Sequence, residues 1–251
     1  MGRKKHLVIG DSHSKPGVSN ERYTWLGRMI ADQRPDIIID IGDFYDMESL
    51  CSWDKGKSMF HGRAYKKDIE HGLDAQDRIE EEIKKVKGYK PRKVRCLGNH
   101  ENRILRALED QPELEGTLTT NHFKSREYGW EEHKYLEPVN INGIAYCHSF
   151  ASGIMGRPIS GENPASSLLN KKKMSCVIGH NHVLDFATRN NAMGKRMSAV
   201  SSGCYFEHGE GYAGPQVNRM WDKGIVILND VDSGSFDFEW WSMRRIKSKY
   251  K

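Results

Sequence analysis

Acidic, imidazole and amide side chains recur in this sequence directly after short apolar runs. Leu7-Val8-Ile9 leads into Gly10-Asp11-Ser12-His13, Ile37 to Ile41 into Gly42-Asp43, and Val94 to Leu97 into Gly98-Asn99-His100-Glu101. Ile144 to Cys147 leads into His148, and Cys176 to Ile178 into Gly179-His180-Asn181-His182. Asp11, His13, Asp43, Asn99, His148, His180 and His182 form a set of seven oxygen and nitrogen donors. Such a mixture suits manganese, iron, zinc, nickel or cobalt better than calcium. Seven exceeds what one ion takes. If one carboxylate bridges, two ions each receive four protein ligands and keep open positions for water and substrate. Two ions roughly 3.5–4 Å apart can polarise phosphoryl oxygens, acidify a bridging water and hold nucleophile and leaving group in line. The chemistry expected is therefore hydrolysis of a phosphoester bond. Its cofactor would be two divalent metal ions, manganese first, with iron, zinc, nickel, cobalt or magnesium as alternatives.

The elements carrying these residues are read from periodicity. The apolar runs are short, rich in β-branched residues and flanked by breakers, which marks them as buried strands. Helical patterns lie between them. Residues 21 to 33 place Trp25, Leu26, Met29 and Ile30 on one face, and residues 68 to 87 do the same with Ile69, Leu73, Ile79, Ile83 and Val86. Alternating strands and helices predict an α/β fold whose early strands are largely parallel. In such sheets the carboxyl ends of the strands form the site, so residues far apart in sequence can converge there. Residues 197 to 202, 224 to 229 and 236 to 240 read as later strands. Two stretches, 47 to 66 and 111 to 138, show no clear period and read as long loops that shape a site.

Each residue also has a plainer reading. An Asp-x-His pair after a strand is more often a turn or helix cap than a ligand pair. A lone histidine such as His148 is more often a hydrogen-bonded core residue. The ordered recurrence outweighs both, because fold stability alone does not place polar residues at five successive strand ends. Glu101 reads as a favourable charge at the start of the following helix rather than as part of the site. Arg103 could meet a substrate phosphate or simply face solvent. Trp53, Phe60 and Tyr65, interleaved with Lys55, Lys57, Arg63, Lys66 and Lys67, could stack bases and attract phosphates, or could pack their own loop. Trp221, Trp240 and Trp241 read as packing or interface residues, and Cys147 as core on the opposite face of its strand from His148.

Taken in order, the blocks resemble the calcineurin-like metallophosphoesterase superfamily. Its signature is Asp-x-His, Gly-Asp-x-x-Asp, Gly-Asn-His-Asp/Glu, an isolated His, and Gly-His-x-His. Here these stand as Asp11-Ser12-His13, Gly42-Asp43-Phe44-Tyr45-Asp46, Gly98-Asn99-His100-Glu101, His148 and Gly179-His180-Asn181-His182. The resemblance implies a four-layer α/β/β/α sandwich with mixed sheets. It also implies that Asp11, His13, Asp43 and His182 hold one ion and Asp43, Asn99, His148 and His180 the other, with Asp43 the bridge. By the same likeness His100 and Asp46 are catalytic: His100 stands beside the phosphoryl group and protonates the leaving oxygen, and Asp46 orients it. Met47 occupies the position after Asp46 where protein Ser/Thr phosphatases of the superfamily carry arginine.

The intact second metal-binding histidine His182, with the basic loop and tail, favours a phosphodiesterase or nuclease acting on nucleic acid or nucleotides, and the departure at Met47 counts against a protein phosphatase. A phosphomonoesterase, on protein or small molecules, is the alternative, and a non-catalytic scaffold on the same fold is less favoured because no ligand is lost. The net charge of +5 over 251 residues suits anionic substrates yet falls short of a dedicated nucleic-acid binder. Five widely spaced cysteines without a Cys-x-x-Cys pair argue against a disulfide framework or zinc ribbon, pointing to a reducing cytoplasm. No apolar run is long enough for a membrane span. The expected organisation is one domain over residues 1–243 with a basic, solvated tail at 244–251. It resembles the compact stand-alone members found in bacteria and their viruses, acting as a monomer or small homo-oligomer.

Overall fold

Alternation along the strands sets the layers of the computed structural model, which describes residues 2–251. In β1 (Lys4–Ile9), Leu7 and Ile9 point into one apolar cluster and Val8 into another. The chain continues through α1 (Glu21–Gln33), β2 (Ile37–Asp40), α2 (Tyr65–Lys84), β3 (Arg92–Cys96), α3 (Arg103–Asp110) and β4 (Trp130–His133). Then come β5 (Val139–Ile141), β6 (Ile144–Tyr146), α4 (Pro164–Lys172), β7 (Cys176–Ile178), β8 (Leu184–Asn190) and β9 (Arg196–Ser202). The last elements are α5 (Gly214–Met220), β10 (Gly224–Asp232), β11 (Ser235–Ser242) and α6 (Met243–Tyr250).

These strands make two mixed sheets, ordered β11-β10-β1-β2-β3-β4 and β5-β6-β7-β9-β8. Their facing sides interlock through Val8, Ile39, Val94, Tyr146, Val177 and Val226. The outer side of the first sheet carries α1, α2 and α6; the outer side of the second is covered by α4 through Ala165, Leu168 and Leu169. The result is the expected α/β/β/α sandwich. Cys147 lies in the layer beneath α4, and all five cysteines are buried and free. Among the described residues no helix is long and apolar enough to cross a membrane.

Several elements differ from the sequence reading. β4 lies inside the stretch expected to be loop, because as an edge strand paired only with β3 it buries Trp130 and leaves Glu131 and Glu132 exposed, so no apolar alternation announces it. α2 begins earlier than expected, at Tyr65, and stops at Lys84, leaving Val86 beyond its end. The basic C-terminus is not a solvated tail. Met243, Ile246 and Tyr250 are buried against the α1 layer, Arg28 donates to the Tyr250 carbonyl at 2.8 Å, and the Tyr250 hydroxyl donates to Asp32 at 2.6 Å.

The parallel pairs fix what the sandwich positions. Ile9 pairs with Asp40, and Asp40 with Arg95, so β1, β2 and β3 end level with one another. β6 and β7 are likewise parallel in the second sheet. The His148 Nδ1 to Ile41 carbonyl contact, 3.0 Å, ties the end of β6 to the end of β2 across the two sheets.

Candidate metal centre

The turns that follow these strands are tightly built. A Cβ on Gly98 would collide with the Asp43 carboxylate, and one on Gly42, at φ 107°, would sit 2.7 Å from both the Cys96 carbonyl and His148 Nδ1. Glycine is required at both places so that the β2 and β3 turns can nest. Beneath them Asp40 and Arg95 form a fully buried ion pair of 2.7 Å. The other Asp40 oxygen accepts the Gly42 N–H at 3.1 Å, and the guanidinium stacks on Phe44 and Trp130.

Glu101 joins the same two turns. Its carboxylate, wholly buried, accepts the backbone N–H groups of Asp43 (3.0 Å), Tyr45 (2.8 Å) and Gly98 (2.8 Å). The residue read from sequence as a helix-end charge is instead the clamp that holds the β2 and β3 turns in register. Burial, and then the nearby Asp43 and Asp40, push its carboxyl up to about 7 against the pull of those N–H bonds.

The structure brings all seven candidate ligands into one cluster, of which Asp43, Asn99, His180 and His182 line the cleft and Asp11, His13 and His148 lie buried behind it. Asp11 Oδ2 lies 2.9 Å from His182 Nε2, and both Asp11 oxygens accept the His180 N–H at 2.9 and 3.0 Å. Asp43 Oδ2 is the centre of the group, 3.4 Å from His148 Nε2 and 3.8 Å from His13 Nε2. Asn99 Oδ1 meets His148 Nε2 at 3.0 Å and His180 Nδ1 at 2.9 Å. His13, Asp43, His180 and His182 all have positive φ, between 44° and 66°, a region that costs a residue with a side chain of order 1–3 kcal/mol. Backbone strain at four positions of one cluster marks a site shaped for something other than stability.

The donor chemistry tests whether cations fit. His148 donates its Nδ1 proton to the Ile41 carbonyl, so in the neutral ring Nε2 is a lone pair facing two further acceptors, Asn99 Oδ1 and Asp43 Oδ2. Three acceptors aimed at one point need a positive charge among them, which either a proton on Nε2 or a metal ion supplies. His13 is wholly buried; its Nδ1 faces Glu210 Oε1 at 3.2 Å, while its Nε2 has no hydrogen-bond partner. A buried ring nitrogen without a partner is costly in a core and ordinary for a metal ligand. Charge agrees. Burial would lower the His13 and His148 imidazoles, but the carboxylates around them lift the two to about 10 and about 9, so this cluster favours positive charge. Asp43 is held well below the usual carboxylate range; burial opposes this, and the adjoining His100, His148 and His13 prevail.

His100 and Asp46 stand beside this cluster. His100 Nδ1 donates to Asp46 Oδ1 at 2.8 Å, its backbone N–H donates to Asp43 Oδ1 at 2.9 Å, and Nε2 faces Asp43 Oδ2 at 3.8 Å. Arg103 completes the arrangement. It donates to His100 Nε2 at 3.1 Å and to the carbonyls of Asp46 and Met47 at 2.7 and 3.3 Å. A guanidinium borrowed from α3 thus lies against the segment where Met47 stands.

Sequence reasoning missed Lys15 and Glu210. Glu210 is buried near the site, 2.8 Å from Lys15 Nζ and 2.9 Å from His208 Nε2, and Lys15 also meets Asp46 at 3.2 Å. Trp221, read as packing, does pack, edge-on against His182 at a centroid distance of 4.5 Å, but it also lines the cleft. In the 47–66 segment the two readings divide. Phe60 lies under Arg63 and Tyr65 bonds His122 at 2.8 Å, whereas Trp53 is 77% exposed at the cleft mouth. The cleft itself encloses about 500 Å³.

A two-sheet sandwich with acids and imidazoles gathered at its shared carboxyl edge is the arrangement of a metallophosphoesterase. Residues 4–191 match the family model for calcineurin-like phosphoesterases, and the chain belongs to that family. Comparison with curated protein sequences gives no match. Among solved structures, it is similar to a purple acid phosphatase from yellow lupin (Lupinus luteus) seeds, with 12% identity and a TM-score of 0.34. The match covers 99% of this chain and 52% of the phosphatase, so the chain spans about half that protein's length.

Proposed function

We propose that the protein is a dinuclear metal-dependent phosphoesterase acting on phosphodiesters of nucleic acids or nucleotides. The observation that carries the metal assignment is the unpartnered, buried Nε2 of His13 beside the acceptors of Asp43, Asn99 and His148. Asp11, His13, Asp43 and His182 would hold one divalent ion, Asp43, Asn99, His148 and His180 the second, with Asp43 shared. Bound there, the ions supply Lewis acidity at the phosphoryl oxygens and lower the pKa of water.

The remaining steps belong to side chains. His100 keeps its Nδ1 proton on Asp46, so Nε2 carries the lone pair and must take up a second proton from solvent, as an imidazolium flanked by Asp43 and Asp46, before it can pass that proton to a leaving oxygen. Arg103 donates to that nitrogen here, and an arriving phosphate draws the guanidinium onto its own oxygens, freeing Nε2 to take up the proton that it then gives to the leaving group. Lys15, held between Asp46 and Glu210, keeps the Asp46 carboxylate ionised and aimed at His100. Glu101 keeps Asp43 and Asn99 at a fixed separation through its three backbone bonds.

The diester preference rests on the wide, aromatic-rimmed cleft and on Met47 in place of an arginine. A monoester reading has one observation in its favour, since Arg103 could grip the terminal oxygens that an arginine at position 47 would otherwise take. The test loads the metal-free protein separately with manganese, iron, zinc, nickel, cobalt and magnesium. Each form is assayed on bis-p-nitrophenyl phosphate, p-nitrophenyl phosphate, single- and double-stranded DNA and RNA, and a phosphopeptide. Faster turnover of diesters and polynucleotides supports the proposal; turnover confined to monoesters reverses the preference, and no turnover with any metal ends it.

A further inference from the structure

The cleft does not stop at Asn99. A second cavity of about 290 Å³ opens between the 47–66 segment and α3, and shares Trp53, Asn99 and Arg103 with the first. The two form one trench that passes over the candidate metal centre.

Charge is distributed unevenly along it. In the main cleft the cations are already engaged: Lys15 by Asp46 and Glu210, Lys57 by Asp54, Arg63 by Asp54 and Glu48. The side cavity carries Lys55 and Arg106, together with Arg103, which Asp46 already engages at 3.5 Å, against a single lining acid, Asp110. Arg103 and Arg106 are three apart on α3 and so project to the same side. Arg106 and Lys55 are exposed, and among the described residues neither has a carboxylate within ion-pair distance.

At the junction stands Trp53, the most exposed tryptophan whose ring borders both cavities, and at the far end of the cleft stand Tyr212, 66% exposed, and Trp221. Exposed rings on both sides of a phosphoester site, next to unpaired cations, are a stacking platform joined to a phosphate track.

We propose that the side cavity is a nucleotide subsite. Trp53 stacks a base there, and Lys55 and Arg106, with Arg103 at the junction, hold the phosphate next to the one under attack. The substrate is therefore single-stranded nucleic acid, since a base must leave a duplex to lie on the indole. This rests on the phosphodiesterase reading, but its test does not need turnover.

The probe is a short fluorescein-labelled oligothymidylate, and its binding to the EDTA-treated protein is followed by fluorescence anisotropy at several salt concentrations. Trp53→Ala is expected to weaken binding about tenfold or more. Arg106→Ala is expected to weaken it and to make the slope of log K against log salt shallower by about 0.7, the share of one single-strand phosphate contact. Both side chains lie at the surface, and an unchanged thermal midpoint will show that folding is intact. Unaltered affinity in both variants overturns the subsite, even if the enzyme hydrolyses diesters. Weakened binding in both, with no hydrolysis under any metal, leaves the subsite standing and removes the activity. A duplex probe bound as tightly as the single strand, with the same losses in both variants, overturns the choice of single strands.

Discussion

Glu210 faces His13 across 197 residues of sequence, its Oε1 3.2 Å from the ring Nδ1. The carboxylate accepts that proton and so turns Nε2 toward Asp43, a device that fixes the tautomer of metal-binding histidines. Glu210→Ala is expected to lower metal affinity by about 10–100 fold, measured by competition with a chelating dye. Unchanged affinity would leave Glu210 as a structural residue only.

Asp43 lies within 4 Å of His13, His100 and His148. If it is shared between two ions, Asp43→Asn removes a charge from both. Metal content after dialysis, measured by plasma mass spectrometry, should fall for both ions together. Two ions retained with full turnover would defeat the bridging assignment.

His100→Gln preserves bulk and some hydrogen bonding while removing a transferable proton. Metal content should stay the same, and kcat for a diester with a poor leaving group should drop about 100-fold or more. Loss with p-nitrophenolate should be much smaller, because that group leaves without a proton. Equal losses on the two substrates would argue against proton transfer.

Glu101→Ala leaves the N–H groups of Asp43, Tyr45 and Gly98 without their acceptor. At about 1–3 kcal/mol for each buried donor left unsatisfied, the metal-free protein should lose about 3 kcal/mol or more in urea denaturation. A loss below about 1 kcal/mol would show that the two turns hold without the clamp.

His6 gives the fold a pH dependence remote from the metal site. Its ring is wholly buried between the sheets, bonded to Tyr146 at 2.7 Å and Asn142 at 3.2 Å. Burial lowers its pKa from 6.5 to about 4, only partly opposed by the Asn142 bond. The unfolded chain therefore binds the proton first, so stability falls as pH drops through 6.5 and levels off below about 4, a change on the order of 3 kcal/mol. Urea midpoints across that range should show a flatter slope in His6→Gln; an identical slope would assign the effect elsewhere.

Four of the five strand ends were legible because each couples an apolar run to a glycine and a polar residue, a local pattern with a direct physical meaning, whereas His148 follows its strand without a glycine and was legible only from its place in the series. Glu101 was misread because its role appears only when the Gly42 and Gly98 turns come together, which no window of sequence displays. Glu210 and Lys15 lie in segments without periodicity and meet only through the fold. The C-terminal helix was legible in principle: Met243, Ile246 and Tyr250 recur at helical spacing, but the many lysines and arginines between them, which face outward, suggested a tail. β4 was hidden for the reason common to edge strands, an absence of apolar alternation.

The four left-handed residues at the candidate metal centre have a consequence for how this protein can change. At His13, Asp43, His180 and His182 a glycine would sit more comfortably than the residue that is there. Selection for sturdiness alone would therefore erode the pocket where the side chain is least buried, and a variant library screened only for heat resistance should enrich glycine at the half-buried His180 while losing catalysis.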